Sequence, residues 1–434
     1  MKQVSHYIAR RIAFGQGKSF TKVIIRIAVV SIALSLSIML LTTAILAGFK
    51  KEISNKIFGF WGHIQITDSN VNRNFELTPI PMNDPVYSKI RAIQQIEYEK
   101  PFSTFGYEWK NYSKSAVTSG GVAGVYPFII KPAILNTKEN LYGVLLKGIS
   151  KEYDWNKLES FIIDGKPIYF ENDTSSSDIL VSKTIAEKLV VKTGDKVILS
   201  FIQDQDRIKK RFTVSGIYNT GLEEYDRRFC IVDIRKLQEV LNWKSTDIQG
   251  MEIVLDDVQD IDVISEYIYY EELPSKLYAA TIRSIFPGIF EWLDLQNINE
   301  KIITVLMIIV AIINMITVLL ILILERTPMI GTLKSLGMNN WNVRKIFLYN
   351  AMYIIGLGLI FGNIFGIGIA LLQKKFKFIT LDEANYYLSV APIKLEWQTI
   401  VFLNLGTILV TLAFLIIPTY LVTKITPVKV LRFE

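Results

Sequence analysis

Cysteine and histidine are nearly absent from this 434-residue chain, which has Cys230 as its single cysteine and His6 and His63 as its two histidines. One cysteine excludes an internal disulfide, so any folded domain must rest on its own apolar core. Cys230 reads as a small buried residue of a strand over Arg228–Val232. Two histidines in separate regions exclude a His-based metal centre and a Ser-His-Asp triad within one chain. His63 opens a strand and reads as a structural or headgroup contact. The chain also lacks a Gly-x-x-x-x-Gly-Lys-[Ser/Thr] loop, so it has no standard cradle for nucleotide phosphates, and it lacks a Gly-x-Ser-x-Gly elbow. Asp and Glu are plentiful, but no pair has a spacing that marks an acid and a base. No catalytic residue, metal ligand or cofactor site is therefore assigned.

Charge is missing from four long runs: Ile27–Gly48, Ile302–Leu324, Ile346–Gln373 and Trp397–Thr423. Each exceeds the roughly 20 apolar residues that a helix needs to cross a hydrocarbon core. The pattern predicts an integral membrane protein with four transmembrane helices in a 1+3 arrangement and a large α+β extracytoplasmic domain over 49–301. The first run lacks a small-residue cleavage site and reads as an uncleaved anchor. Within the runs there is no acid or base, and amides such as Asn314, Asn363 and Asn404 are the strongly polar groups. A proton or ion relay normally uses ionisable groups at that depth, so secondary transport is not the expected function and an apolar path suits a lipid-like cargo.

What charge there is has a direction. The net charge of +7 is not a nucleic-acid footprint, because Lys2, Arg10, Arg11, Lys18, Lys22 and Arg26 gather before the first run without a carboxylate. The 325–345 connection and the tail (Lys424, Lys429, Arg432) are basic as well. Under the positive-inside rule these segments are cytosolic, which leaves 49–301 and 374–396 outside. Lys374, Lys375, Lys377 and Lys394 in the short outer loop run against that rule, opposed by Asp382, Glu383 and Glu396. Residues 1–22 alternate apolar and basic groups, which suits either a helix resting on the anionic leaflet or a disordered basic flank.

Inside the polar block, period-2 segments predict strands at His63–Thr67, Gly124–Ile130, Tyr142–Gly148, Ile179–Val181, Lys196–Phe201, Arg211–Tyr218, Arg228–Val232 and Met251–Leu255. Helices are expected at Pro85–Ile96, Ser182–Leu189, Ile234–Trp243 and Ile261–Tyr270, with Ser182 as an N-cap and Gly194–Asp195 as a turn. In the third run Gly358, Gly362, Gly366 and Ala370 recur every four residues. Such a ladder lets two helix backbones approach closely, either within one subunit or between two.

The 325–345 connection has the most specific local pattern, ERTPMIGTLKSLGMNNWNVRK. Thr327 is expected to cap a helix with Pro328 at its first position. Ile330, Leu333 and Leu336 fall on one face, and Gly337 supplies a left-handed stop. Asn339 or Asn340 then caps the next helix. An apolar stripe there needs a partner, either the inner leaflet or a soluble protein docking from below.

The run E-R-x-x-x-I-G-x-L-K-x-L-G resembles the coupling segment of the FtsX/MacB-type permeases of ABC transporters. Residues 41–66, residues 386–397 and the terminal P-V-K-V-L-R-F-E are similar to the LolC/LolE lipoprotein-releasing branch, and the resemblance covers nearly the whole chain. It implies an extracytoplasmic domain of the MacB periplasmic-core type in a multi-pass inner-membrane protein. It further implies a separate ABC ATPase that binds ATP and Mg, a second permease subunit (the same or different), acylated lipoprotein cargo and a LolA-like periplasmic carrier. Glu325, Arg326, Ile330, Leu333, Lys334, Leu336 and Gly337 would then couple to the ATPase. Cargo would enter between the first and second spans around Leu36, Leu40, Leu306 and Val310. Two departures stand out. Met329 occupies a position often acidic in the family, which removes one polar contact. The hairpin tip Ile202–Lys210 is shorter than the carrier-binding hook of LolC-like subunits, so carrier contact through Gln203, Asp204, Gln205, Asp206 and Arg207 is placed in doubt. Tyr225 and Asp226 match a family Tyr-Asp step that either stabilises a turn or touches cargo. The rival readings are a mechanotransmission permease that moves no cargo and a MacB-like exporter of peptides or small molecules.

Overall fold

A computed structural model describes residues 7, 19–69, 77–82, 85–104, 107–137, 140–170, 174–203 and 206–425. The expected N-terminal segment, apart from its last residues, and the terminal P-V-K-V-L-R-F-E motif lie outside these residues. Contacts divide the chain into two units: 1–52 with 291–381 and 390–434, and 53–290 with 382–389.

The first unit is helical. Helices Ser19–Trp61, Pro287–Glu325, Asn340–Phe376 and Trp397–Thr419 carry stretches long and apolar enough to cross a membrane. The first and second run past the uncharged stretches, to Trp61 and back to Pro287. Helical hydrogen bonding does not stop where the hydrocarbon does, and Lys50, Lys51, Glu52, Glu291 and Asp294 sit on these extensions. Leu36, Leu319, Leu322, Phe347, Ile354 and Leu415 form its core.

The second unit is built on a mixed ten-stranded sheet. Its strands are β1 (Ile64–Asp68), β5 (Val122–Asn136), β6 (Leu141–Ile149), β7 (Ile162–Gly165), β8 (Asp178–Ser182), β9 (Lys196–Gln203), β10 (Asp206–Tyr218), β11 (Phe229–Asp233), β13 (Gly250–Leu255) and β14 (Leu277–Thr281). They run in the order β14-β1-β13-β5-β6-β11-β8-β10-β7, with β9 joining β10 to β5. The β6–β11 and β8–β10 pairs are parallel. Two small ribbons, β2 (Ile80–Pro81) with β12 (Asp247–Ile248) and β3 (Glu97–Thr104) with β4 (Tyr107–Val117), stand apart. Strand alternation buries Ile129, Leu146, Ile179, Leu199, Phe212 and Ile231, and short helices cover them.

Local chemistry fixes several boundaries. Ser182 caps the helix Lys183–Leu189 by accepting from the Ile185 N–H at 3.1 Å. Gly62 ends the first long helix at φ +69, its N–H returning to Phe58 O. Two expectations are corrected. The helix begun at Pro85 ends at Arg91 rather than Ile96, because residues 93–96 lead into β3. The β9–β10 hairpin pairs as far as Gln203 and Asp206, so Ile202–Lys210 is mostly strand and not a loop. Asp204 and Gln205 lie outside the described residues.

Candidate functional site

The glycine ladder packs within one chain. A β-carbon on Gly358 would lie 2.7 Å from Ile32, one on Gly362 3.0 Å from both Ala33 O and Leu36, and one on Gly366 3.1 Å from Ser37. Ser37 Oγ donates to Gly362 O at 2.9 Å, and Ala370 is buried. The contacts advance together along both helices, so the first and third long helices run in the same direction. Asn314 Nδ2 donates to Ser31 Oγ at 2.5 Å on the second helix, and the Asn363–Asn404 amides bond each other at 2.8 and 3.1 Å across the third and fourth. These amides therefore serve as interhelical ties.

This seam corrects the expected cargo path. Leu36 and Leu40 are buried against Gly362 and Gly366, whereas Leu306 and Val310 are exposed on the second helix. The four do not meet in one groove. Ile32, Leu36 and Leu40 are themselves spaced by four, the period of the glycines, and this shared spacing is the signal in the sequence. The opening between the first and second helices lies further along. It is a cleft of about 430 Å³ lined by Thr42, Ile45, Leu46, Gln296, Asn299, Ile302 and Ile303. Its walls are apolar in the helical runs, and Gln296 and Asn299 put amides at the rim where the charge-free stretch ends. None of these residues was expected from the sequence to line a path, although Thr42, Ile45 and Leu46 fall within the family-like stretch 41–66.

The 325–345 connection folds as the short helix Thr327–Ser335 with Pro328 in its first turn. Thr327 does not cap it. Its hydroxyl donates back to Ile323 O and Leu324 O, at 3.2 and 2.7 Å, because the preceding helix continues almost to this point. The apolar stripe also divides. Ile330 is fully buried in the helical core, Leu333 is half-buried and Leu336 is 79% exposed. Gly337 has φ +86 and Asn339 caps the third long helix through the Asn342 N–H at 2.9 Å. Lys334 is a brace: its Nζ donates to the carbonyls of Val422 (2.6 Å) and Ile425 (2.7 Å), closing the end of the helix Leu421–Lys424. Arg344 donates to Thr419 Oγ1 and Ile416 O, beside Pro418 in the last turn of the fourth helix. Glu325 and Arg326 are half-buried at the turn before Thr327. The surface this helix leaves open is thus centred on Leu336.

In the second unit, the end of the first long helix enters an aromatic cluster. Phe60 stacks on Tyr225 with centroids 5.9 Å apart, and Trp61 meets Phe229 edge-on at 4.9 Å. Tyr225 is buried there, and Asp226 accepts from Thr220 Oγ1 (2.9 Å) and Gly221 N (3.1 Å), so both stabilise the turn. His63 accepts from the Leu255 N–H at 2.7 Å and is structural. Cys230 is buried, and burial pushes its thiol well up, so it is no nucleophile.

Beneath the same helix end lies a buried ion pair. Lys147 Nζ is 2.8 Å from Glu252 Oε1, with both side chains 1% exposed. The ammonium also donates to Phe60 O, 4.7 Å from the Trp61 ring centroid. Burial pushes Glu252 up to about 7 and Lys147 down, each opposed by its partner. A cation at the helix's last carbonyls is also favoured by the helix dipole.

Residues 27–268 match the family described as MacB-like periplasmic core domain, and residues 301–427 match FtsX-like permease C-terminal. The chain is 23% identical over 94% of its length to "Lipoprotein-releasing system transmembrane protein LolC" of Xylella fastidiosa, covering 93% of that protein. It is 21% identical over 98% of its length to the LolE counterpart of Haemophilus influenzae, covering 98% of that protein. Among solved structures, the extracellular domain of the ABC-type transporter YknZ is similar at 12% identity, covering 50% of this chain and 99% of that one. The TM-score of that match is 0.32.

Proposed function

This chain belongs to the family defined by the MacB-like periplasmic core domain, joined here to an FtsX-like permease region, and from that premise we propose that it is the membrane subunit of an ATP-driven lipoprotein-releasing complex. Two such subunits, the same or different, would pair above two separate ATPases in the inner membrane. Both termini and the basic 325–345 connection would lie in the cytosol and the 53–290 unit in the periplasm. Acylated lipoproteins would leave the membrane through this subunit for a periplasmic carrier.

The observation that carries the proposal is the cleft between the first and second helices. Its apolar walls at Ile45, Leu46, Ile302 and Ile303 suit acyl chains, and its amide rim suits the polar linkage between lipid and protein. Withdrawing an acyl chain into water costs about 0.8 kcal/mol per methylene, and multiplied over several chains this demands an external energy source. The sequence has no phosphate-binding loop of its own, so ATP and Mg are assigned to the partner.

Leu336 is where that partner is expected to dock. Because Leu336 is exposed, Leu336→Asp should leave insertion and folding intact while placing an uncompensated charge in the contact. Affinity purification from native membranes should return the unaltered chain with an ABC ATPase in fixed ratio and the variant with that ATPase depleted at least about tenfold, as 1.4 kcal/mol requires. Full recovery of the ATPase with the variant would remove this helix from the coupling role.

A further inference from the structure

The third long helix carries basic groups at both ends, with Arg344 and Lys345 near its start and Lys374, Lys375 and Lys377 at its close. From Lys345 to Lys374 the helix rises about 44 Å at 1.5 Å per residue. That equals the roughly 40–45 Å thickness of a bilayer with its headgroups. If the third helix crosses the membrane, as the proposed function requires, both clusters therefore sit at headgroup depth. The second cluster lies on the side where the positive-inside rule predicts few cations.

The loop is built to hold those lysines in place. Buried Gln373 accepts from the Ile379 N–H at 2.8 Å and donates to Ile379 O and Ala391 O at 3.2 and 3.1 Å. This folds the chain back within one turn, and Lys377 takes the left-handed position at φ +52 with its N–H on Gln373 O. Lys374, Lys375 and Lys377 are all exposed, and among the described residues none of the three forms an ion pair with a carboxylate. Lys394 in the same outer loop is instead paired with Glu396 at 2.6 Å. Phe376 and Phe378, 64% and 57% exposed, stand between the lysines. Three cations without a carboxylate partner, Lys375 lying 5.5 Å from the Phe376 ring centroid, at the end of an apolar helix complement an anionic interface rather than water.

We propose that Lys374, Lys375 and Lys377 bind the phosphate of anionic phospholipid headgroups in the leaflet reached by the closing end of the third helix, with Phe376 and Phe378 seated among the upper acyl carbons. The site anchors the third helix by selecting lipid charge.

The test uses the full chain with Leu372→Cys, half-exposed two residues before Lys374, labelled with a bimane fluorophore, since native Cys230 is buried. In phosphatidylcholine nanodiscs, brominated phosphatidylglycerol should reach half-maximal quenching at a mole fraction about five times lower than brominated phosphatidylcholine, the selectivity of one lysine at an anionic surface. In the K374Q/K375Q/K377Q background the two curves should coincide. Raising salt to about 1 M, where screening acts within about 3 Å, should shrink the preference without any substitution and keeps the test open if the triple variant folds poorly. Coincident curves with all three lysines present would overturn the proposal, as would a preference that survives their removal. If the lysines only cap the helix, quenching will be unselective and the triple variant will lose thermal stability equally in both lipids, which also overturns it.

Discussion

Gly362→Leu is expected to deprive the helical unit of its fold. The added β-carbon alone lies 3.0 Å from Ala33 O and from Leu36, and three further carbons have no space to occupy. The two helices must separate, which breaks the Ser37–Gly362 hydrogen bond and opens the contacts at Gly358 and Gly366. Overpacking one well-filled site costs about 1–3 kcal/mol. Helix association in lipid has only packing and hydrogen bonds to resist it, so the unit should be degraded or aggregate on detergent extraction. Gly368→Leu, on the same helix with nothing within 4 Å, is the matched control and should extract as a monodisperse protein. Size-exclusion profiles of the two variants make the comparison, and equal behaviour would refute the intrachain seam.

Lys147→Met is the second large effect. It leaves the Glu252 carboxylate buried without its cation and removes a donor from Phe60 O at the end of the first long helix. Breaking one partner of a buried pair costs about 3–5 kcal/mol, enough to make the 53–290 unit sensitive to protease at temperatures where the native chain is resistant. The double variant Lys147→Met/Glu252→Leu removes both charges and should recover most of that loss, because the desolvation penalty disappears with them. A single variant as resistant as the native protein would show that the pair does not hold the helix end.

The sheet was legible where strands alternate and invisible where they do not. Six of the eight strands expected from period-2 runs fall within strands of the main sheet, and the other two, begun at His63 and Arg228, start one residue before β1 and β11. β3 and β4 escaped because Lys100, Pro101, Ser113 and Lys114 break the alternation, and the two strands pair mainly with each other. β7 and β14, the two ends of the sheet order, were not read from the sequence either. Caps were readable because their chemistry is local: Ser182, Asn339 and Gly337 each behave as their residue type dictates. Thr327 failed for the opposite reason, since its partner carbonyls belong to a helix whose end could not be located from composition.

The functional surfaces were harder. A helix that is apolar all round presents no polar face to mark which side turns inward. Only small residues and amides break that uniformity, so Gly358, Gly362 and Gly366 revealed a seam, while nothing in Ile45, Leu46, Ile302 or Ile303 distinguished a cleft from lipid-facing surface. Leu36 and Leu40 were placed on the wrong side of their helix by the same ambiguity. Lys334 illustrates a second limit, because its carbonyl partners lie far along the chain and cannot be inferred from its own turn.

The most direct measurement of the central claim is covalent capture at the cleft. Photoreactive residues at positions 45 and 303, with position 36 as a buried control, should be irradiated in native membranes and the products probed for acylated lipoprotein. The account predicts capture at 45 and 303, none at 36, and loss of capture when the cargo's lipid-bearing cysteine is replaced. Efficient crosslinking to neighbouring subunits at 45 and 303 with no acylated lipoprotein at either position would contradict it and favour a permease that transmits force without moving cargo.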